Sequence, residues 1–185
     1  MGESASEQNI KAANHPVVLH VATHGFFNAN VDLSKSMSMG VEVSRARNNP
    51  LLRSGLLFKG AASVYSNEPI LDGSNNGVLY AYEAMNLNLE GTRLVVLSAC
   101  ETGLGEIVNG EGVYGLSRSF QVAGASKILM SLWKVDDQVT RQLMIAFYEN
   151  WLSLNDPQQA LLQAEKIIKE KYPSPYYWGA FILLN

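Results

Sequence analysis

Four short runs of almost unbroken apolar residues punctuate the chain: PVVLHVAT (16–23), RLVVLSA (93–99), SKILMSLW (126–133) and YWGAFILL (177–184). Runs of this length, bounded by polar or turn residues, predict strands buried on both faces of a sheet. Between them the apolar positions take up helical spacing. Val113, Leu116 and Phe120 follow an i, i+3, i+7 pattern that stops at Gly124. Val139, Leu143, Phe147 and Trp151 recur every four residues after Asp136–Asp137, the expected N-cap, and Leu161, Ala164 and Ile168 follow the start signal Asp156–Pro157. SGLLFKGA (54–61) and NGVLYAYEAMNL (76–87) predict a short hairpin leading into one helical turn. Strands alternating with helices in this order imply an α/β fold in layers around a mostly parallel sheet. Residues 27–50 show neither period and read as a long loop, functional or disordered. The expected organisation is a polar tail over 1–15 followed by one domain over 16–185.

Composition narrows the function classes. A chain of 185 residues that is 47% hydrophobic can bury the core of one domain. Its 14 basic and 17 acidic residues give a net charge of -3, and no Lys/Arg cluster offers a stripe for phosphates, so nucleic acid is not an expected partner. A single cysteine forms no internal disulfide, and the first fifteen or so residues lack the apolar core of a secretory signal; a cytoplasmic location is expected. The longest apolar runs, about seven residues, fall far short of the roughly 20 needed to span a bilayer.

In an open parallel sheet, sites gather beyond the carboxyl ends of the strands, where loops and helix N-termini converge. Two such ends carry chemistry. The first apolar run closes on ATHG, delivering His24 and Gly25; the second closes on SAC, delivering the lone Cys100, followed by Glu101-Thr102-Gly103. If the two strands are neighbours, an imidazole and a thiol face each other as base and nucleophile. A free thiol titrates near 8.5 and is mostly protonated at neutral pH; an adjacent imidazole accepts its proton and stabilises the thiolate. Gly25 permits close backbone approach, so its N–H and that of Cys100 are the expected donors to an oxyanion. A buried lone cysteine is often only a small hydrophobe and a lone histidine a structural residue; it is their shared placement at two strand ends, each followed within three residues by glycine, that points to catalysis. His20, inside its strand, and His15, before a proline, read as structural. The glycine-rich GLGEIVNGEG has neither G-x-G-x-x-G spacing nor a Gly-Lys-Ser/Thr signature, which argues against a nucleotide site.

HVATHGFF, LVVLSACETGLGEIVNGEGVYGLSRSFQVAGASKILMSLWKVDD and the terminal PYYWGAFILL together resemble the CHAT domains, caspase-like cysteine peptidases related to separase and caspases and often attached to tetratricopeptide repeats in bacteria. The resemblance covers most of the chain from residue 16 onward. It implies a caspase-like three-layer α/β/α sandwich, lacking the N-terminal strands of a full domain, with His24 as base and Cys100 as nucleophile forming an acyl-enzyme on a peptide carbonyl. No metal or cofactor is implied. Glu111 caps the following helix or braces the active-site turn. SLWK (131–134), with Ser131 and Trp133, resembles the segment with which caspases pair the substrate backbone in an extended strand, although Trp133 is equally placed to be core.

Specificity follows from charge. Caspases receive aspartate with basic groups and a glutamine two residues before the nucleophile; here that position is Ser98, and Glu101 stands nearby. An aspartate in the first subsite meets like charge, so a basic or uncharged residue is expected. The segment Trp133–Asp137 resembles the region that shapes the first subsite in separase, which accepts arginine through an acidic residue. This resemblance implies Asp137 as the better candidate of two for the partner of a basic residue, the alternative being that Asp136 or Asp137 only caps a helix. The expected activity is that of an endopeptidase on a specific protein. The alternatives are a catalytically silent scaffold that works by protein–protein interaction, or an esterase or acyltransferase using the same dyad. The short segment before the first strand implies a partner chain or an N-terminal half, with tetratricopeptide repeats among the candidates, that completes the sheet.

Overall fold

The computed structural model describes residues 4–28, 32–65, 75–98, 115–134 and 136–185. In chain order the elements are α1 (Glu7–Lys11), β1 (Val18–Val21), β2 (His24–Phe27), β3 (Met37–Ser38), β4 (Val41–Glu42), α2 (Val43–Asn48), β5 (Ser54–Leu57), α3 (Ala62–Tyr65), β6 (Val78–Tyr80), α4 (Ala81–Ala84), β7 (Leu94–Leu97), α5 (Leu116–Val122), β8 (Ile128–Ser131), α6 (Asp137–Leu154), α7 (Pro157–Lys171), α8 (Pro175–Trp178) and β9 (Phe181–Leu184). All four apolar runs yield strands, and these strands pair with one another. They form a four-stranded sheet in the order β1-β7-β8-β9, in which β1, β7 and β8 are parallel and β9 is antiparallel to β8.

Alternation of side chains divides the core into two layers on this sheet. Val95, Leu97, Ile128 and Met130 face Leu116 and Phe120 of α5 and Ala81 and Ala84 of α4. Leu94, Val96 and Leu129 face Leu143 and Phe147 of α6 and Leu161, Ala164 and Ile168 of α7. Helices on both faces of a mostly parallel sheet make the caspase-like α/β/α arrangement. The helix signals hold in detail: the Asp136 carboxylate accepts from the N–H groups of Gln138 and Val139, and that of Asp156 from Gln158 and Gln159, with Pro157 in the first helical turn. After α5, Gly124 adopts φ +109°, where an added Cβ would lie 2.7 Å from the Glu90 nitrogen, so glycine is required there. No helix among the described residues is long and apolar enough to cross a membrane.

Several expectations are corrected. The first run is not one strand that ends on His24. It breaks at Ala22-Thr23, where the Thr23 hydroxyl donates to the Leu57 carbonyl and hands the chain to a second, antiparallel sheet in the order β2-β5-β6. The last run is only half strand: Tyr177 and Trp178 end a helical turn that Pro175 starts, and Phe181–Leu184 is the strand. The segment 27–50 is not structureless: β3 and β4 form a hairpin over Met37–Glu42, and α2 follows with Ala46 buried. The expected polar tail is docked. Ile10 enters the core, and Glu7, 1% exposed, accepts from the Gly77 N–H at 2.8 Å and is bridged through Lys11 to Glu83. An acidic side chain buried this far is tolerable because each oxygen has a donor.

Candidate functional site

β1 and β7 are direct neighbours in parallel register, Val18 opposite Leu94 through Val21 opposite Leu97. The apolar packing of both strands holds them: Leu97 is fully buried and Val21 nearly so. Their carboxyl ends therefore open at the same end of the sheet. β7 passes into Ser98, half-buried, whose N–H donates to the Val21 carbonyl at 3.2 Å. On the β1 side, two residues of link lead to His24, the first residue of β2, exposed and paired across the antiparallel ladder with Leu57.

Beside these residues a cavity of about 710 Å³ opens between the strand ends and α6. His20, Thr23, His24 and Ser98 line one wall, and Asp137, Arg141, Met144, Ile145, Tyr148, Glu149 and Leu152 of α6 line the other. Its lining combines an aliphatic floor with a few convergent polar groups, the usual make-up of a ligand site. The two neighbouring aspartates at the helix start divide their roles. Asp136 spends its carboxylate on the helix cap, whereas Asp137 is exposed, lies in the first turn and borders the cavity.

A polar chain crosses this cavity. His20 Nε2 lies 2.9 Å from Ser98 Oγ, and Tyr148 Oη lies 3.0 Å from His20 Nδ1, with the two rings tilted at a centroid distance of 5.7 Å. Partial desolvation in the cavity wall lowers the His20 imidazole below its ordinary range, which favours its neutral form, and pushes the Tyr148 phenol up to about 12, so it keeps its proton. His20, which reads as structural in the sequence, thus belongs to the cavity wall, and so does Tyr148, which no motif singles out. The signal that reveals His20 is register: Val18 faces α6 whereas Leu19 and Val21 face the other layer, so position 20 takes the α6 side and meets Ser98 there.

The remaining expected residues divide. Gly25 lies in β2 opposite Leu56. Because the Asn28 N–H donates to the Arg53 carbonyl in the same ladder, alternation turns the Gly25 N–H away from β5, toward the edge on which no described strand pairs. Ser131 is buried at the end of β8 opposite Phe181 and does not line the cavity. Trp133 packs on the α6–α7 layer and its Nε1 donates to the Tyr176 carbonyl at 3.0 Å, which is the core role rather than a place in this cavity. Cys100, Glu101 and Glu111 lie outside the described residues.

Comparison with known proteins places this geometry in a family. The model of the CHAT domain matches residues 1–185. Tetratricopeptide repeat protein 28 of Homo sapiens is 31% identical over 110 residues, which make up 58% of this chain and 4% of that protein. The protein of the same name from Mus musculus is 30% identical over 110 residues, again 58% of this chain and 4% of the relative. The chain thus spans only a small part of the length of these relatives.

Proposed function

Because the chain belongs to the CHAT domain family, whose members are related to the caspase-like peptidases, we propose that it is a cysteine endopeptidase in which His24 and Cys100 act together on a specific protein substrate. The observation that carries this is the parallel pairing of β1 with β7: the strands that lead in sequence to His24 and to Cys100 are neighbours, and their carboxyl ends open beside one cavity. In the proposed reaction the Cys100 thiol gives its proton to His24 and its sulfur bonds to the carbonyl carbon of the substrate peptide. The N–H groups of Gly25 and Cys100 receive the negative charge that develops on the carbonyl oxygen. Collapse of that intermediate breaks the C–N bond, His24 returns the proton to the leaving amine, and a thioester remains. Water, deprotonated by His24, then attacks the thioester and releases the acid and the free thiol.

Asp137 supplies specificity in this scheme. Its carboxylate is not used by the helix cap and borders the cavity that His24 and Ser98 also line, so a lysine or arginine before the scissile bond finds a counter-charge and an aspartate finds repulsion. A fluorogenic peptide library tests the proposal. Cleavage after arginine or lysine, abolished by Cys100→Ala, is the expected result; preferential cleavage after aspartate would overturn the charge argument, and undiminished cleavage by Cys100→Ala would overturn the mechanism.

One observation favours a second function, that of a silent module acting through assembly. β1 ends the sheet: the Val17 and Val21 carbonyls accept from Arg93 and Ser98, so the backbone groups of Val18 and His20 point to the opposite edge, where no described strand pairs with them. A further polypeptide strand is proposed to complete the sheet there, and the relatives' name, tetratricopeptide repeat protein, is compatible with work in a larger assembly. A scaffold would bind such a partner yet cleave no peptide in the library.

A further inference from the structure

Resting on the peptidase proposal, we infer that His20 and Tyr148 are positioning residues which hold the Ser98 hydroxyl as a hydrogen-bond donor to a carbonyl oxygen of the bound peptide. Tyr148, His20 and Ser98 form a chain with contacts of 3.0 and 2.9 Å, both ordinary hydrogen-bond lengths. A neutral imidazole has one N–H and one acceptor nitrogen, so the chain has two arrangements. In one, Tyr148 donates to Nδ1, Nε2–H donates to Ser98 Oγ, and the serine proton is left free. In the other, Ser98 donates to Nε2, Nδ1–H donates to Tyr148 Oη, and the phenolic proton is left free.

Chemistry selects the first. A phenol is a far stronger acid than an aliphatic alcohol and so the better donor, while the alcohol oxygen is the better acceptor. With its oxygen occupied by Nε2–H, Ser98 can use its proton only toward another acceptor. Ser98 lines the cavity together with His24 and Asp137, where the backbone of a substrate with its side chain at Asp137 would pass. The relay spans three elements, β1, the end of β7 and α6, and therefore sets the donor relative to both walls of the cavity. A packing role alone would be better served by an aliphatic residue at position 20, as its neighbours Val18, Leu19 and Val21 illustrate.

Two measurements test this. In the first, full-length protein is alkylated at its single cysteine with a peptidyl acyloxymethyl ketone carrying arginine at its first position, and separately with iodoacetamide, which needs no peptide contacts. Ser98→Ala, His20→Ala and Tyr148→Phe are each expected to slow the peptidyl reagent by about tenfold, the worth of one net hydrogen bond to a neutral partner, with the iodoacetamide rate unchanged and each variant still folded at the assay temperature. His20→Gln, whose amide can still donate to Ser98, is expected to recover most of the loss. The double variant Ser98→Ala/Tyr148→Phe is expected to be no slower than Ser98→Ala alone, since both remove the same contact. Wild-type protein that resists the peptidyl reagent would overturn the peptidase proposal and the role of Ser98 with it. Labelling of the wild type that Ser98→Ala does not slow would overturn the positioning role alone, as would equal slowing with both reagents. The second measurement is the ¹⁵N spectrum of the His20 ring at pH 7. The Nε2–H tautomer, converting to Nδ1–H in Tyr148→Phe, is the expected result; a predominant Nδ1–H tautomer in the wild type would overturn the relay whether or not the protein cleaves peptides.

Discussion

Asp136 and Asp137 are adjacent and chemically identical, yet the start of α6 uses only one of them as a cap. Asp136→Ala should therefore lower stability by about 1 kcal/mol in urea unfolding while leaving peptide preference intact. Asp137→Asn should do the reverse, abolishing a preference for arginine or lysine with a smaller change in stability. Equal stability losses from both would contradict this division of roles. The same scale shows what sequence can and cannot convey. The cap signals were legible because they depend on neighbours within three residues. His20 was not, because a histidine inside an apolar run carries no mark of which face it takes; only the register of β1 on β7 sets it against Ser98. Cys100 and Glu111 lie outside the described residues, so their roles rest on sequence and family.

At the scale of elements, the break between β1 and β2 was hidden for a similar reason. The apolar run 16–23 passes into HGFF (24–27) with no turn signal at Ala22-Thr23, and the break is marked instead by a side-chain bond from Thr23 to a carbonyl 34 positions away. Thr23→Val keeps the shape and removes that donor, and it should reduce stability by about 1–3 kcal/mol because the Leu57 carbonyl loses a partner. The α6–α7 pair was legible throughout, its apolar spacing intact from Val139 to Ile168. Phe147, fully buried between that pair and the sheet, should cost about 3–5 kcal/mol when replaced by alanine. Glu165 on α7 is a cost built into this layer. Burial pushes its carboxyl up from 4.5 to about 7, so the folded state holds the proton more tightly than the unfolded chain and stability falls as pH rises from about 4.5 to 7. Glu165→Gln should then raise the melting temperature at pH 8 and leave it unchanged at pH 4. Because the side chain is half exposed, solvent screening limits the gain to about 1 kcal/mol or less. A gain that is larger at pH 4 would reverse the sign of this assignment.

For the whole molecule, the central facts are the edge of β1 on which no described strand pairs and the cavity beside it. Leu152, 86% exposed, and Ile145 line the cavity on α6, so exposed apolar surface lies in the cavity that His20 of β1 also lines. Exposed apolar surface next to an unpaired strand favours association. Light scattering is expected to show concentration-dependent association that Leu152→Glu suppresses; a monomer at every concentration would contradict completion of the sheet by a second copy of the chain. Catalysis is the claim on which the rest depends, and covalent labelling reaches it most directly. Incubated with a peptidyl acyloxymethyl ketone, the wild-type chain should gain the mass of the peptidyl group at Cys100, and His24→Ala should lose at least about 100-fold in labelling rate, the scale of a positioned acid–base group. Labelling that His24→Ala leaves undiminished would contradict the dyad, and a wild-type protein that takes up no reagent would contradict the peptidase itself.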